Sequence, residues 1–185
     1  RDTIEQKGFS GVNFDFENIP AGNRAAYVQF IDRAVRRLHD FDSLVFVALA
    51  PQTSDGKRGI LYEGHDYRRL GVAADYVILM TYEWGYTYGP PMAVAPLNQV
   101  ERVIKYATAR VEPDKILMGV PNYGYDWPLP FDRGTTVAES ISNGEALARA
   151  ARYGASVEYD QVAQSPYYRY TDPEGLEHEV WFEDG

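Results

Sequence analysis

The sequence of 185 residues contains no cysteine, which excludes disulfides, thiolate-ligated zinc and thiol catalysis. No apolar run approaches the roughly 18 residues that a membrane span needs. Positive charge is scarce: 18 Lys and Arg stand against 27 Asp and Glu, for a net charge of −9. That deficit argues against phosphate-backbone binding, which calls for clustered basic residues. Arg1-Asp-Thr-Ile-Glu has neither a starting Met nor the apolar core of a signal peptide, so the expectation is a removed signal or a sequence cut from a longer one. The three histidines, His39, His65 and His178, are scattered without metal-ligand spacing; surface or helix-end positions are expected for them, and no metal or other cofactor.

What the sequence does have is an ordinary globular balance, 45% hydrophobic and 24% charged, with length enough for one domain and a sizeable core. It is rich in tyrosine, with 15 Tyr beside 3 Trp. Core packing accounts for most of these rings, but Tyr and Trp are also the residues that stack on sugar faces.

Short apolar runs alternate with longer amphipathic ones, a pattern of βα units around a parallel sheet. Strands are predicted over residues 11–16, 44–50, 76–82 and 115–121. The 44–50 run is apolar almost throughout, as a strand buried on both faces should be. Helices are predicted over about 22–39, 65–70 and 96–110; the first takes its apolar face from Ala26, Val28, Phe30, Ile31, Ala34, Val35 and Leu38. Residues 83–91 read as an aromatic loop, and 122–127 as the loop after the fourth strand. Beyond lie a predicted helix over 139–153 and short strands at 155–159, 167–171 and 179–182. No repeat or linker interrupts the chain, so residues 1–185 read as one domain. Polar and aromatic residues gather after the C-terminal ends of the strands, where eight-fold βα barrels place their chemistry. Four such strands fall short of a barrel of about 250 residues, so a partial barrel is expected.

The strongest chemical signal is Ser10-Gly-Val-Asn-Phe-Asp-Phe-Glu17. Alternation along a strand puts Asn13, Asp15 and Glu17 on one face and Val12, Phe14 and Phe16 on the other. The polar row is either the solvated side of an edge strand or the lining of a barrel interior; in a closed barrel it has to be the latter. A charged Asp15 two residues away disfavours ionisation of Glu17, which suits Glu17 to general acid work. Both carboxyls rise from one face, an awkward placement for an acid and a nucleophile that must flank the bond from opposite sides. A nucleophile supplied by the substrate removes that difficulty.

Gly11-Val-Asn-Phe-Asp-Phe-Glu17 resembles the D-G-x-D-x-D-x-E signature of glycoside hydrolase family 18, the chitinase family. Met80-Thr-Tyr82 resembles that family's M-x-Y strand end, and Gly119-Val-Pro-Asn-Tyr-Gly124 its G-x-P-x-Y-G strand end. With Tyr82-Glu-Trp-Gly85, Asn122-Tyr-Gly-Tyr-Asp-Trp127 and Val180-Trp-Phe-Glu-Asp184, the likeness is closer to one branch: bacterial spore-cortex and germination N-acetylglucosaminidases, often found behind lysin-motif repeats. The chain departs from the signature at Ser10 and Asn13, where the family carries acids, and at Glu83, where chitinases carry Asp.

The resemblance implies a (β/α)8 barrel of which this chain holds about strands 4 to 7 and a following small α+β segment, without the first three strands and the last. It also implies roles. Glu17 protonates the glycosidic oxygen and then activates water; Asp15 orients the 2-acetamido group and stabilises positive charge; Tyr82 donates a hydrogen bond to that group; Asn13 holds Asp15. Trp84, Tyr123, Asn122, Glu83, Met80, Trp127 and Trp181 are the candidate substrate contacts, with core packing the competing reading for Met80, Trp127 and Trp181. The expected partner is a glycan, peptidoglycan or chitin-like, met by a monomer with no nucleic acid, in a secreted, cell-wall or spore-associated setting in a bacterium. The competing functions are a chitinase, a glycan-binding relative without catalysis, and a metal-dependent hydrolase using Asp15, Glu17 and Glu83 as ligands.

Overall fold

The computed structural model describes residues 2–184, which fall into two compact units. The first comprises the residues up to Thr81 together with Arg102–Gly119; the second comprises Tyr82–Glu101 and the residues from Val120 onward.

The first unit is α/β. After the short α1 (Asp2–Lys7), strands β1 (Gly11–Phe14), β2 (Leu44–Leu49), β3 (Tyr76–Leu79) and β4 (Ile116–Met118) form a parallel sheet in the order β1-β2-β3-β4. The register pairs Gly11 with Leu44, Phe46 with Tyr76 and Val77 with Ile116. Helices α2 (Arg24–His39), α3 (Ile60–Glu63) and α4 (Tyr67–Ala73) belong to this unit, as does α5 (Leu97–Thr108) from Arg102 onward. Central β2 is fully enclosed on one face, where Val45, Val47 and Leu49 are all 0% exposed, each side chain contributing about 1.5–3 kcal/mol by leaving water. On the other face Ala48 is buried, Phe46 half-buried and Leu44 exposed, short of the two-sided burial its sequence predicts. At the opposite end of the sheet from the candidate residues, the Asp75 carboxylate accepts from the Val45 N–H at 2.7 Å and pairs with His39 Nε2 at 2.9 Å. One side chain thus ties the start of β2 to the end of α2. Asp66 caps α4 by accepting from the Arg69 N–H.

The predicted strands run too long at their C-terminal ends, because each leaves the ladder where its loop begins. The apolar face of α2 is also corrected. Tyr27 is buried with Val28 and Ile31, whereas Ala26 is exposed and Phe30 remains 39% exposed on the flank beside edge strand β1.

The second unit is a five-stranded antiparallel sheet, order β6-β5-β9-β8-β7, with one helix. Its strands are β5 (Tyr123–Pro128), β6 (Glu139–Ser142), β7 (Glu158–Asp160), β8 (Ser165–Thr171) and β9 (Glu177–Trp181), and its helix is α6 (Asn143–Tyr153). Residues 122–127, read from sequence as a loop, are here mostly a strand. Along β5 the side chains alternate: Tyr125 and Trp127 pack with Val94 and Ala138. The other face of the sheet packs Tyr168, Tyr170, Val180 and Phe182 against Ala146 and Ala150 of α6. The predicted helix over 139–153 is a strand followed by a helix. Ser142 stops the strand because its hydroxyl accepts from the Glu145 N–H at 3.1 Å, and Gly154 ends α6 with φ 63°. No helix among the described residues is long and apolar enough to cross a membrane.

Candidate active site

In the first unit the site begins where β1 ends. Phe14 is the last residue of the ladder, and the chain keeps its alternation for three more positions. Phe14 and Phe16 turn toward α2, where Phe16 stacks on Phe30 at 5.6 Å and on Tyr27 at 6.0 Å. Phe14 meets Phe30 edge-on at 5.2 Å. With the aromatic residues anchored on the helix, Asn13, Asp15 and Glu17 are left on the solvent side, and all three are exposed. β1 is an edge strand of its sheet, and Asp15 and Glu17 lie in the loop just beyond its C-terminal end. Asn18, directly after Glu17, adopts a left-handed φ of 55°, a conformation in which Asn is enriched among non-glycine residues. Met80, just past β3, is buried.

Sequence reading missed the residues beneath this loop. His65, between the C-cap Gly64 of α3 and the N-cap Asp66 of α4, is 1% exposed and so no surface histidine. Its Nδ1 lies 2.9 Å from the Ala50 backbone nitrogen and its Nε2 3.0 Å from the Phe16 carbonyl oxygen. Burial holds the imidazole below its ordinary protonation range, against the opposing pull of the Phe16 carbonyl and the Glu17 and Asp15 charges. Gln52, also buried, donates from its amide nitrogen to the carbonyls of Tyr62 and His65 at 2.8 and 3.0 Å. The Tyr67 hydroxyl donates to Ala50 O at 2.7 Å. Tyr27 is buried, and burial followed by the Asp15 charge pushes its phenol up to about 12. No apolar periodicity marks His65 or Gln52; the only signal in the sequence is their place after a strand end.

In the second unit the structure brings Glu83 together with Tyr123 and Tyr125. Both phenols donate to the same Glu83 oxygen, at 2.6 and 2.9 Å. Burial, and then the Glu83 carboxylate, raise both phenols above their ordinary range, Tyr123 the further. Glu83 has a left-handed φ of 64°. The chain after it is pinned as a ribbon, Trp84 N–H to Val94 O and Gly85 N–H to Ala93 O. Gly85 is required there, since a Cβ would stand 2.0 Å from Met92 O. Tyr82, Trp84 and Tyr123 are partly exposed, and Asn122 is exposed. Trp181 is partly exposed, stacks on Tyr167 at 4.6 Å and donates from its indole to Glu179. Trp127 is 0% exposed, and its indole N–H is spent on Gly89 O at 2.7 Å; its surroundings are those of a core residue. No group of three or more His, Asp or Glu side chains that could hold a metal ion occurs among the described residues.

Residues 1–184 match the family described as Glycosyl hydrolases family 18. The chain belongs to that family. It is 48% identical over 177 residues to the cortical fragment-lytic enzyme of Bacillus subtilis (strain 168), across 96% of this chain and 41% of that one. Among solved family members, the Bacillus megaterium QM B1551 spore cortex-lytic enzyme SleL superposes with a TM-score of 0.93 at 44% identity, covering 99% of this chain and 42% of that one. A chitinase from Chromobacterium violaceum ATCC 12472 superposes at 0.90 with 34% identity, covering 99% of this chain and 56% of that one. The chain thus spans 41% to 56% of the length of these three proteins.

Proposed function

We propose that this chain is the acid-bearing part of a glycosidase that cleaves β-linked N-acetylglucosamine in peptidoglycan of the spore-cortex type, by retaining catalysis with the substrate's own acetamido group as nucleophile. The observation that carries this reading is the Asp15 and Glu17 pair, exposed together in the loop beyond the C-terminal end of a parallel strand. That is the end of a βα sheet at which barrel enzymes work. In this reading Glu17 protonates the leaving oxygen and later activates water. Asp15 orients the acetamido group and stabilises the charge that develops as the carbonyl oxygen attacks the anomeric carbon. Asn13, one alternation further back, holds Asp15. Tyr82 keeps the role its motif gives it, a hydrogen bond to the acetamido group. Trp84, Tyr123, Asn122 and Trp181, each accessible, are the sugar contacts.

The four parallel strands are, in this proposal, one side of an eight-fold barrel that lacks here its first three strands and its last. Apolar exposure at both sheet edges supports this: Phe9 and Phe16 beside β1, Leu117 and Met118 in β4. An open barrel leaves such edges unpaired, so the 185-residue chain alone is expected to be poorly stable and inactive. The likeness to spore cortex-lytic enzymes supports a glycan partner and a secreted, spore-associated setting; a monomer is proposed. Chitin-oligomer hydrolysis is the second reading, favoured by the 34% identity to a chitinase.

The test uses a complete barrel polypeptide carrying this sequence. Glu17→Gln should abolish hydrolysis of muropeptide-bearing cortex fragments and leave glycan binding intact; activity near that of the parent would overturn the assignment. Faster release from chitin oligomers than from cortex fragments would favour the second reading, and binding without turnover in the parent would identify a non-catalytic relative.

A further inference from the structure

The loop that carries Asp15 and Glu17 is gripped on both sides of Glu17 by two consecutive residues that follow it by more than forty positions. Gly64 approaches Ile19 so closely that a Cβ there would stand 2.4 Å from the Ile19 Cβ and 2.5 Å from its carbonyl oxygen. The next residue, His65, reaches the Phe16 carbonyl on the other side.

The partners of the imidazole fix its protonation pattern. A backbone N–H only donates, so Nδ1, facing Ala50 N–H, carries the lone pair. A carbonyl oxygen only accepts, so Nε2, facing Phe16 O, carries the hydrogen. Both ring nitrogens of a neutral histidine are therefore used, one on the end of β2 and one on the peptide that leads into Glu17. The anchoring end is itself held, since Tyr67 donates to Ala50 O and accepts from the Gln52 N–H at 3.3 Å. The Tyr27 ring packs against the imidazole at 6.0 Å. The groups that face His65 are thus Asp15, Glu17 and the Phe16 carbonyl from the loop, Tyr27 from α2, and Ala50 from the end of β2.

We propose that His65 is a positioning residue for Glu17: anchored on Ala50, its imidazole holds the Phe16–Glu17 peptide and sets the direction in which the Glu17 side chain leaves the loop. This rests on the reading of Glu17 as the acid catalyst. The mechanism it serves is orientation. An acid aimed at one oxygen gains the advantage of fixed geometry, and a displacement of about 1 Å costs on the order of a hundredfold in rate.

Two substitutions separate this role from packing, each made in a complete barrel polypeptide. His65→Asn places an acceptor where Nδ1 was and removes the donor to Phe16. His65→Gln places a donor where Nε2 was and removes the acceptor. His65→Asn should lower kcat by about 10- to 100-fold with KM little changed, and should speed hydrogen exchange at the amides of residues 17–19. His65→Gln should keep kcat within about fivefold and leave that exchange slow. Parent-like kcat and exchange in His65→Asn would overturn the proposal. So would a folded His65→Gln that loses as much kcat as His65→Asn, or loses as much as the proposal assigns to His65→Asn should the latter not fold. If the parent itself turns over no glycan, the glycosidase reading fails, and the exchange measurement still decides whether His65 holds the loop.

Discussion

Asp126 is a charged residue that sequence gives no reason to place in a core, yet it is 2% exposed on β5. Three groups converge on it. Arg149 Nη1 donates at 2.5 Å, the Tyr170 hydroxyl at 2.7 Å, and His178 Nδ1 lies 2.7 Å away. Arg149 is also bonded to Glu139 at 2.9 Å and Glu145 at 3.3 Å. The Glu139 bond, and then Asp126, hold its guanidinium still further into the protonated range. Asp126→Ala should therefore be severe. It removes the buried partner of a nearly buried cation and leaves the Tyr170 and His178 donors without their acceptor. Breaking a buried pair from one side costs about 3–5 kcal/mol.

The contrast lies in the same guanidinium. The Glu139 side chain is 63% exposed, so Glu139→Ala should cost about 0–1 kcal/mol, as exposed pairs do. Native-state hydrogen exchange of the β5, β8 and β9 amides reads this difference locally. With a tenfold change per 1.4 kcal/mol, Asp126→Ala should accelerate exchange there by about a hundredfold or more, and Glu139→Ala by less than about tenfold. Equal, small effects from both substitutions would show that burial does not decide the strength of this network, and would refute the reasoning.

Trp127→Ala should destabilise the second unit by about 3–5 kcal/mol, because it empties a fully enclosed site and strands Gly89 O; a loss under about 1 kcal/mol in urea unfolding would contradict the placement. Burial pushes the Glu183 carboxyl up to about 7 from 4.5, against the Ala95 N–H that favours its charged form. The folded state then binds more protons than the unfolded one between those values, so its stability contribution falls as pH rises from about 4.5 to 7. Glu183→Gln, which stays neutral, should gain stability relative to the parent across that window, and a pH-independent difference would exclude the effect.

The βα order of the first unit was legible because its strands are written as short apolar runs, residues 44–49 above all, between longer amphipathic segments. Asp15 and Glu17 drew attention through their two-residue spacing together with the signature that the segment resembles. β5 was not. Tyr-Gly-Tyr-Asp-Trp-Pro contains three residue types that disfavour strands, and its Asp is accommodated only by Arg149, Tyr170 and His178, which lie 23 to 52 positions away in sequence. His65 was missed for a similar reason: its burial depends on the Ala50 N–H and Phe16 carbonyl, 15 and 49 positions away. Local pattern carries the elements; polar groups satisfied at a distance escape it.

The backbone around Glu17 is held independently of what covers its side chain. Phe16 is held by its ring on Phe30 and by its carbonyl on the buried His65, and Ile19 by the close approach of the buried Gly64. A side chain whose peptide is held can lose direction only through its own rotations, which are few and staggered. In the proposed role of Glu17, the held backbone contributes to its aim. The residues to alter in order to misdirect Glu17 without removing it are therefore those beneath the loop, outside the signature that first drew attention to it.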